Sequence, residues 1–148
     1  MTTTSPLLNP RVIALAHYAA RAVLENVLIR HGLTFQQSVT LRLAAVAEGP
    51  VERENLVDGV VGSLKIDAEE AQAVVEDLIT AGALTAQQPS QVRITDAGRQ
   101  LYETTSAETA PISAWVYEGI PEEELAVAGR VLTLITERAN GELTAQTA

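Results

Sequence analysis

SLKIDAEEAQAVVEDLITAGAL, residues 63–84, is the stretch on which the reading of this chain turns. Ala71, Val74, Val75, Leu78 and Ile79 recur at helical spacing. Asp67 with Glu70 three residues later is a helix-start pattern, and Gly82 supplies the stop. Just upstream, Leu56, Val57, Val60 and Val61 mark another helix beginning near Glu52, with Gly59 and Gly62 near its end. Two helices joined by a short turn read as a helix-turn-helix, and residues 68–81 would be its second helix. That helix normally lies in the DNA major groove. Here it presents Asp67, Glu69, Glu70, Glu76 and Asp77, with only Lys65 beside them.

Working outward, Asn9 and Pro10 start a helix over about residues 11–30, which Gly32 closes after His31. Its apolar residues, among them Val12, Leu15, Val23, Val27 and Ile29, surround most of the cylinder. A helix apolar on most sides needs partners on most sides, in part from a second subunit. Thr34 with Gln37 is a capping box for a helix running to about Ala47, stopped by Glu48-Gly49-Pro50. After Gly82, the short apolar runs 83–85 and 91–94 flank Gln87-Gln88-Pro89-Ser90 and read as a small hairpin. Thr95-Asp96 caps a fifth helix toward Glu108, bent or interrupted at Pro111 and resuming through Tyr117. Pro121 opens a sixth, with Glu122, Glu123 and Glu124 where the helix dipole favours anions, and Gly141 is expected to end it. The termini MTTTSP and GELTAQTA lack a repeating apolar face and read as disordered ends.

The composition fits a single domain over residues 1–148 with a core of Ala, Val, Leu and Ile: 47% of residues are apolar but only 3% aromatic. There is no cysteine, which excludes disulfides, thiol nucleophiles and thiolate zinc sites. With only His17 and His31, neither a metal nor a cofactor is expected. No nucleophile–base spacing or glycine-rich phosphate loop stands out, so an enzyme is not the expectation. The N-terminus lacks a secretory pattern, and the longest apolar run, VIALAHYAA, is too short to span a bilayer. A cytoplasmic protein without a membrane partner follows.

LTFQQSVTLRLAAVAEGP, IDAEEAQAVVEDLITAGAL, VRITDAGRQLY and IPEEELAVAGRVLTLITERANGEL, taken in this order, resemble the MarR family of winged helix-turn-helix transcription regulators over almost the whole chain. The resemblance implies a mostly α fold: a winged helix-turn-helix lobe over about 34–95 with a two-strand wing, flanked by dimerisation helices over about 10–31 and 96–141. It implies a homodimer that binds double-stranded DNA, released by a small organic effector. The candidate DNA-binding residues are then Arg53, Lys65, Glu69, Gln72, Gln88, Gln91 and Arg93, and the candidate effector-binding residues are His17, Tyr18 and Arg21.

The chain also departs from the family pattern. The segment LVDGVVGSLKID, 56–67, is longer than usual, and Ala68, Glu69, Glu70, Gln72 and Ala73 stand where base-reading residues are expected. The wing tip, Gln88-Pro89-Ser90-Gln91, lacks the family's Asp-x-Arg pair, and only Arg93 follows. Over residues 34–100, Arg42, Arg53, Lys65, Arg93 and Arg99 face ten acidic residues, within a chain of net charge −9. DNA affinity rests on cations that displace counterions, so non-specific binding should be weak. The carboxylates read either as a solvated helix face or as acceptors for cytosine N4. The alternative to a DNA-binding regulator is a winged-helix dimer that has lost DNA binding and serves as a ligand-binding or protein-interaction module. Likewise His17 and Arg21, four apart on one helix face, either hold an effector or make subunit hydrogen bonds. Arg42 reads as structural.

Overall fold

The computed structural model describes residues 4–147 and falls into two units, Met1–Pro111 and Ile112–Ala148. In the first unit, the Asn9 Oδ1 accepts the Val12 backbone N–H at 3.0 Å, which with Pro10 fixes the start of α1 (Pro10–Ile29). The capping box of α2 (Phe35–Val46) closes in both directions: Gln37 N–H donates to Thr34 Oγ1 at 3.1 Å and Thr34 N–H to Gln37 Oε1 at 3.0 Å. The sequence places helix α3 (Arg53–Leu64) and helix α4 (Ala68–Thr80) correctly, and Asp67 Oδ1 accepts the Glu70 N–H at 2.7 Å. Of the segment Leu56–Asp67, residues 56–64 belong to α3, which ends on Lys65 in the left-handed region (φ 59°). Glycine would adopt that conformation freely, whereas a side chain pays roughly 1–2 kcal/mol.

The wing contains β2 (Leu84–Gln88) and β3 (Gln91–Ile94), antiparallel, with an irregularity between Ala86 and Gln88. A third strand, β1 (Val51–Glu52), pairs with β3 in the register Val51↔Val92 and Glu52↔Gln91, so the sheet order is β1-β3-β2. β1 is not legible in the sequence, because two residues carry no period. Val92 and Ile94 point inward and Arg93 outward. They meet Leu41, Leu56, Val60, Val75, Leu78 and Leu84 in one core. Burying such a side chain stabilises the fold by about 1.5–3 kcal/mol each.

α5 (Asp96–Tyr117) begins in this unit. Gly98 in its first turn is buried and lies directly on the Ala83 carbonyl, where any Cβ would collide. The helix passes through Pro111 without ending, where the sequence had suggested a bend or break. Just before it, Thr105 and Thr109 hydroxyls donate back to the Leu101 and Thr105 carbonyls at 2.9 and 2.7 Å.

α1 buries only Val27 and Leu28 and leaves Leu15, Tyr18, Val23 and Ile29 exposed. Among the described residues it is the one helix long and apolar enough to cross a membrane, with a mean hydropathy of 1.4. The uninterrupted apolar run VIALAHYAA is too short to span, whereas the helix as a whole reaches that length. Arg11, His17, Arg21 and Glu25 punctuate the helix.

The second unit holds the end of α5 and α6 (Glu122–Thr147). Gly119 (φ +81°) turns the chain, and the Pro121 carbonyl accepts the Leu125 N–H at 3.1 Å. Gly141 does not end α6, contrary to the sequence expectation, because it keeps helical rather than left-handed backbone angles. The expected disorder of residues 141–147 is likewise replaced by helix, residues 4–6 carry neither helix nor strand, and the expectation for residues 1–3 and 148 lies outside the described residues. No residue of α6 is buried, and Trp115, Tyr117, Val127, Leu132, Ile135 and Leu143 are exposed.

Candidate DNA interface and effector cleft

Burial of Ala71, Val74, Val75 and Leu78 turns the opposite stripe of α4, Glu69, Gln72, Ala73 and Glu76, to solvent. Glu69 and Glu70 occupy the first turn, where the helix dipole stabilises anions. Glu70 does not complete a capping box. Its Oε1 instead accepts the Gln36 Nε2 at 3.1 Å, tying the start of α2 to the start of α4.

Two of the five cations of this lobe, Arg53 and Lys65, are engaged by the protein itself. The Arg53 N–H donates to the Ser90 carbonyl at 2.7 Å, and its guanidinium pairs with Glu76. Lys65 Nζ folds back onto the Gly62 carbonyl at 2.6 Å. On the wing, Gln91 Nε2 donates to Glu52 Oε1 at 3.1 Å. Arg93, Gln88, Glu69 and Gln72 are exposed, and among the described residues none of them makes a side-chain hydrogen bond or ion pair. The seven residues singled out from sequence thus divide into three held internally and four on open surface.

A cleft of about 460 Å³ opens between α1, α2 and α5, entirely within the first unit. Its apolar wall comes from Leu24 and Leu28 of α1 with Phe35 and Val39 of α2. Its polar groups are Ser38 and Arg42 of α2 and Tyr102, Thr105, Ser106 and Thr109 of α5. The Ser38 and Thr105 hydroxyls are spent on backbone carbonyls, Ser38 on Phe35 at 2.7 Å and Thr105 on Leu101 at 2.9 Å. Arg42, by contrast, forms no ion pair among the described residues. An apolar wall with a few convergent polar groups and one cation suits an apolar or aromatic body carrying an anionic or hydroxyl group.

His17, Tyr18 and Arg21 do not line this cleft. Two of them touch Phe35, which does line it. The Arg21 guanidinium lies 4.3 Å from the Phe35 ring centroid, and the His17 ring meets Phe35 edge-on at 6.3 Å. Arg21 Nε also donates to Glu25 at 2.9 Å, and Tyr18 is exposed. From the sequence Arg42 reads as structural and Tyr102 draws no notice, yet both line the cleft. The usable signal was helical spacing: Phe35, Ser38, Val39 and Arg42 share one face of α2, and Tyr102, Thr105, Ser106 and Thr109 one face of α5.

Beyond the cleft, α1 is tied to α5 by Glu108. Its Oε2 accepts His31 Nε2 at 3.0 Å and Arg30 Nη2 at 3.1 Å. The hydrogen bond from His31, reinforced by that from Arg30, holds the Glu108 carboxyl below the ordinary value of 4.5. Among the described residues no group of three or more His, Asp or Glu side chains is gathered so as to hold a metal.

A three-helix lobe with a β-hairpin wing, an outward second helix and long flanking helices defines a winged helix-turn-helix fold. Solved structures of that type superpose on it at low sequence identity. A SlyA-like transcription regulator from Listeria monocytogenes matches at TM-score 0.75 with 21% identity, over 93% of this chain and 92% of that one. A MarR-family transcriptional regulator from Rhodococcus sp. RHA1 matches at 0.70 with 19% identity, over 84% and 89%. NadR in complex with 4-hydroxyphenylacetate matches at 0.69 with 20% identity, over 92% and 98%. No family model and no curated protein matches the sequence. The chain has the fold of the MarR-family regulators.

Proposed function

We propose that this protein is a cytoplasmic, homodimeric transcription regulator that binds double-stranded DNA, with an affinity set by a small organic molecule in the α1–α2–α5 cleft. The observation that carries the reading is the winged helix-turn-helix itself, with the polar stripe of α4 and Arg93 of the wing both left on open surface. In this reading residues 1–148 form one domain, with the DNA-binding lobe at about 34–95 and dimerisation helices at about 10–31 and 96–141. The exposed apolar residues of α1 and α6 support a partner subunit. Gln72 and Glu69 would meet base edges, Gln88, Gln91 and Arg93 would carry the wing contacts, and Arg53 and Lys65 would reach phosphates. Arg42 and Tyr102 would grip the polar end of the effector, with His17 and Arg21 steadying Phe35, and Tyr18 beside them. The 4-hydroxyphenylacetate bound by NadR suits such a lining and makes aromatic acids the class to try first. The solved neighbours are regulators and indicate no enzyme family.

The second reading, a winged-helix dimer that no longer binds DNA and takes ligands or proteins instead, is favoured by one observation. Arg53 and Lys65 are both occupied internally. Unbiased selection of bound duplexes from a random pool, at low and at physiological salt, separates the two. A regulator enriches an inverted repeat with half-sites about one DNA turn apart. Failure to enrich any sequence at low salt removes it.

A further inference from the structure

We propose that Glu76 competes with DNA phosphate for Arg53, so that a carboxylate on the recognition helix itself holds down the DNA affinity of this chain. The inference rests on the DNA-binding reading above and names how that surface is regulated. Arg53 is the first residue of α3, and its backbone N–H is anchored on the Ser90 carbonyl at the wing turn. Its side chain crosses to Glu76, which shares the solvent-facing stripe of α4 with Glu69 and Gln72. Arg53 therefore stands where the start of α3, the wing and the recognition helix converge. Glu52, its neighbour in sequence, is already taken by Gln91, which leaves Glu76 as the recorded partner of Arg53 among the described residues.

A phosphate can take Arg53 only by displacing Glu76, and the freed carboxylate then confronts the polyanion. The pair is accessible, with side-chain exposures of 31% for Arg53 and 57% for Glu76, so the exchange is open to solvent rather than locked. Exposed ion pairs are weak, and converting their usual strength gives a gain of up to about fivefold per subunit when Glu76 is neutralised. Two half-sites multiply this to about twenty-five-fold for a dimer.

The test measures binding of the full-length protein to a random-sequence duplex at low salt by fluorescence anisotropy. The variants are wild type, Glu76→Gln, Asp77→Asn, Arg53→Ala, and Glu76→Gln combined with Arg53→Ala. Asp77 is exposed on the same helix, carries the same charge and makes no ion pair among the described residues, so it reports the bulk electrostatic effect. Circular dichroism confirms that each variant is folded. Glu76→Gln is expected to tighten binding several-fold more than Asp77→Asn, and Arg53→Ala to abolish that extra gain. In the Glu76→Gln background, Arg53→Ala should also lower the slope of log affinity against log salt by about 0.9 per half-site. Equal gains from Glu76→Gln and Asp77→Asn, or a gain that survives Arg53→Ala, overturn the inference while leaving DNA binding intact. No binding by any variant, Glu76→Gln included, overturns both the inference and the regulator reading.

Discussion

Replacing Gly98 by alanine sets two effects against each other. On helix propensity alone the change should stabilise α5 by about 1 kcal/mol, since glycine is the poorer helix former. The structure predicts the opposite sign. A Cβ at residue 98 would be driven into the Ala83 carbonyl, only 2.9 Å from its carbon, and would sit 3.0 Å from Ile94 Cγ1. The obstacle is backbone and cannot swing away. Overpacking of this kind costs about 1–3 kcal/mol. The same carbonyl accepts the Thr95 N–H at 3.0 Å and the Thr95 hydroxyl at 3.1 Å, and moving it strains both, at about 1 kcal/mol each. Less the propensity gain, the net loss is roughly 2–4 kcal/mol. For a chain of this size that lowers the melting temperature by roughly 5–15 °C. Gly62→Ala on α3 is the matched control, because nothing lies within 4 Å of its would-be Cβ and its backbone is helical. It should gain about 0.5–1 kcal/mol. Far-ultraviolet circular dichroism melts at one fixed protein concentration decide the matter. If Gly98→Ala melts at or above wild type, the reasoning from close approach is wrong.

Glu108 gives a pH signature. Its carboxyl is held below 4.5 in the fold by His31 and then Arg30, so its contribution is complete above pH 4.5 and fades as acid titrates it through the lowered value. The stability gap between wild type and Glu108→Gln should therefore close as pH falls below 4.5; a gap unchanged to the acid limit contradicts the assignment. In the cleft, Arg42→Ala should weaken calorimetric binding of 4-hydroxyphenylacetate by about tenfold or more, the usual loss for a hydrogen bond to a charged group. Matching titrations for the two proteins would remove Arg42 from the site. Finally, light scattering should give wild type a mass of twice 15.7 kDa, and Leu132→Glu on exposed α6 should halve it. A monomeric wild type would end the dimer proposal.

What the sequence determined by itself is local. Asn9, the Thr34–Gln37 pair and Asp67 cap their helices as read, because a cap joins groups two or three residues apart and the chain spells both partners out together. The hairpin was likewise legible, because the apolar runs 83–85 and 91–94 and the polar turn between them are neighbours along the chain. The tertiary structure alone decided the contacts between segments distant in sequence. β1 exists because Val51 finds Val92, and Gly98 is small because Ala83 lies across it. Gly141 could not be read as helical, since the same residue ends a helix or continues it depending on backbone angles no neighbour dictates. Arg53 and Lys65 were visible as cations, but their occupation was not. Whether a charge is free depends on which carboxylate or carbonyl the fold carries within reach, and spacing along the chain does not encode that for residues 53 and 76.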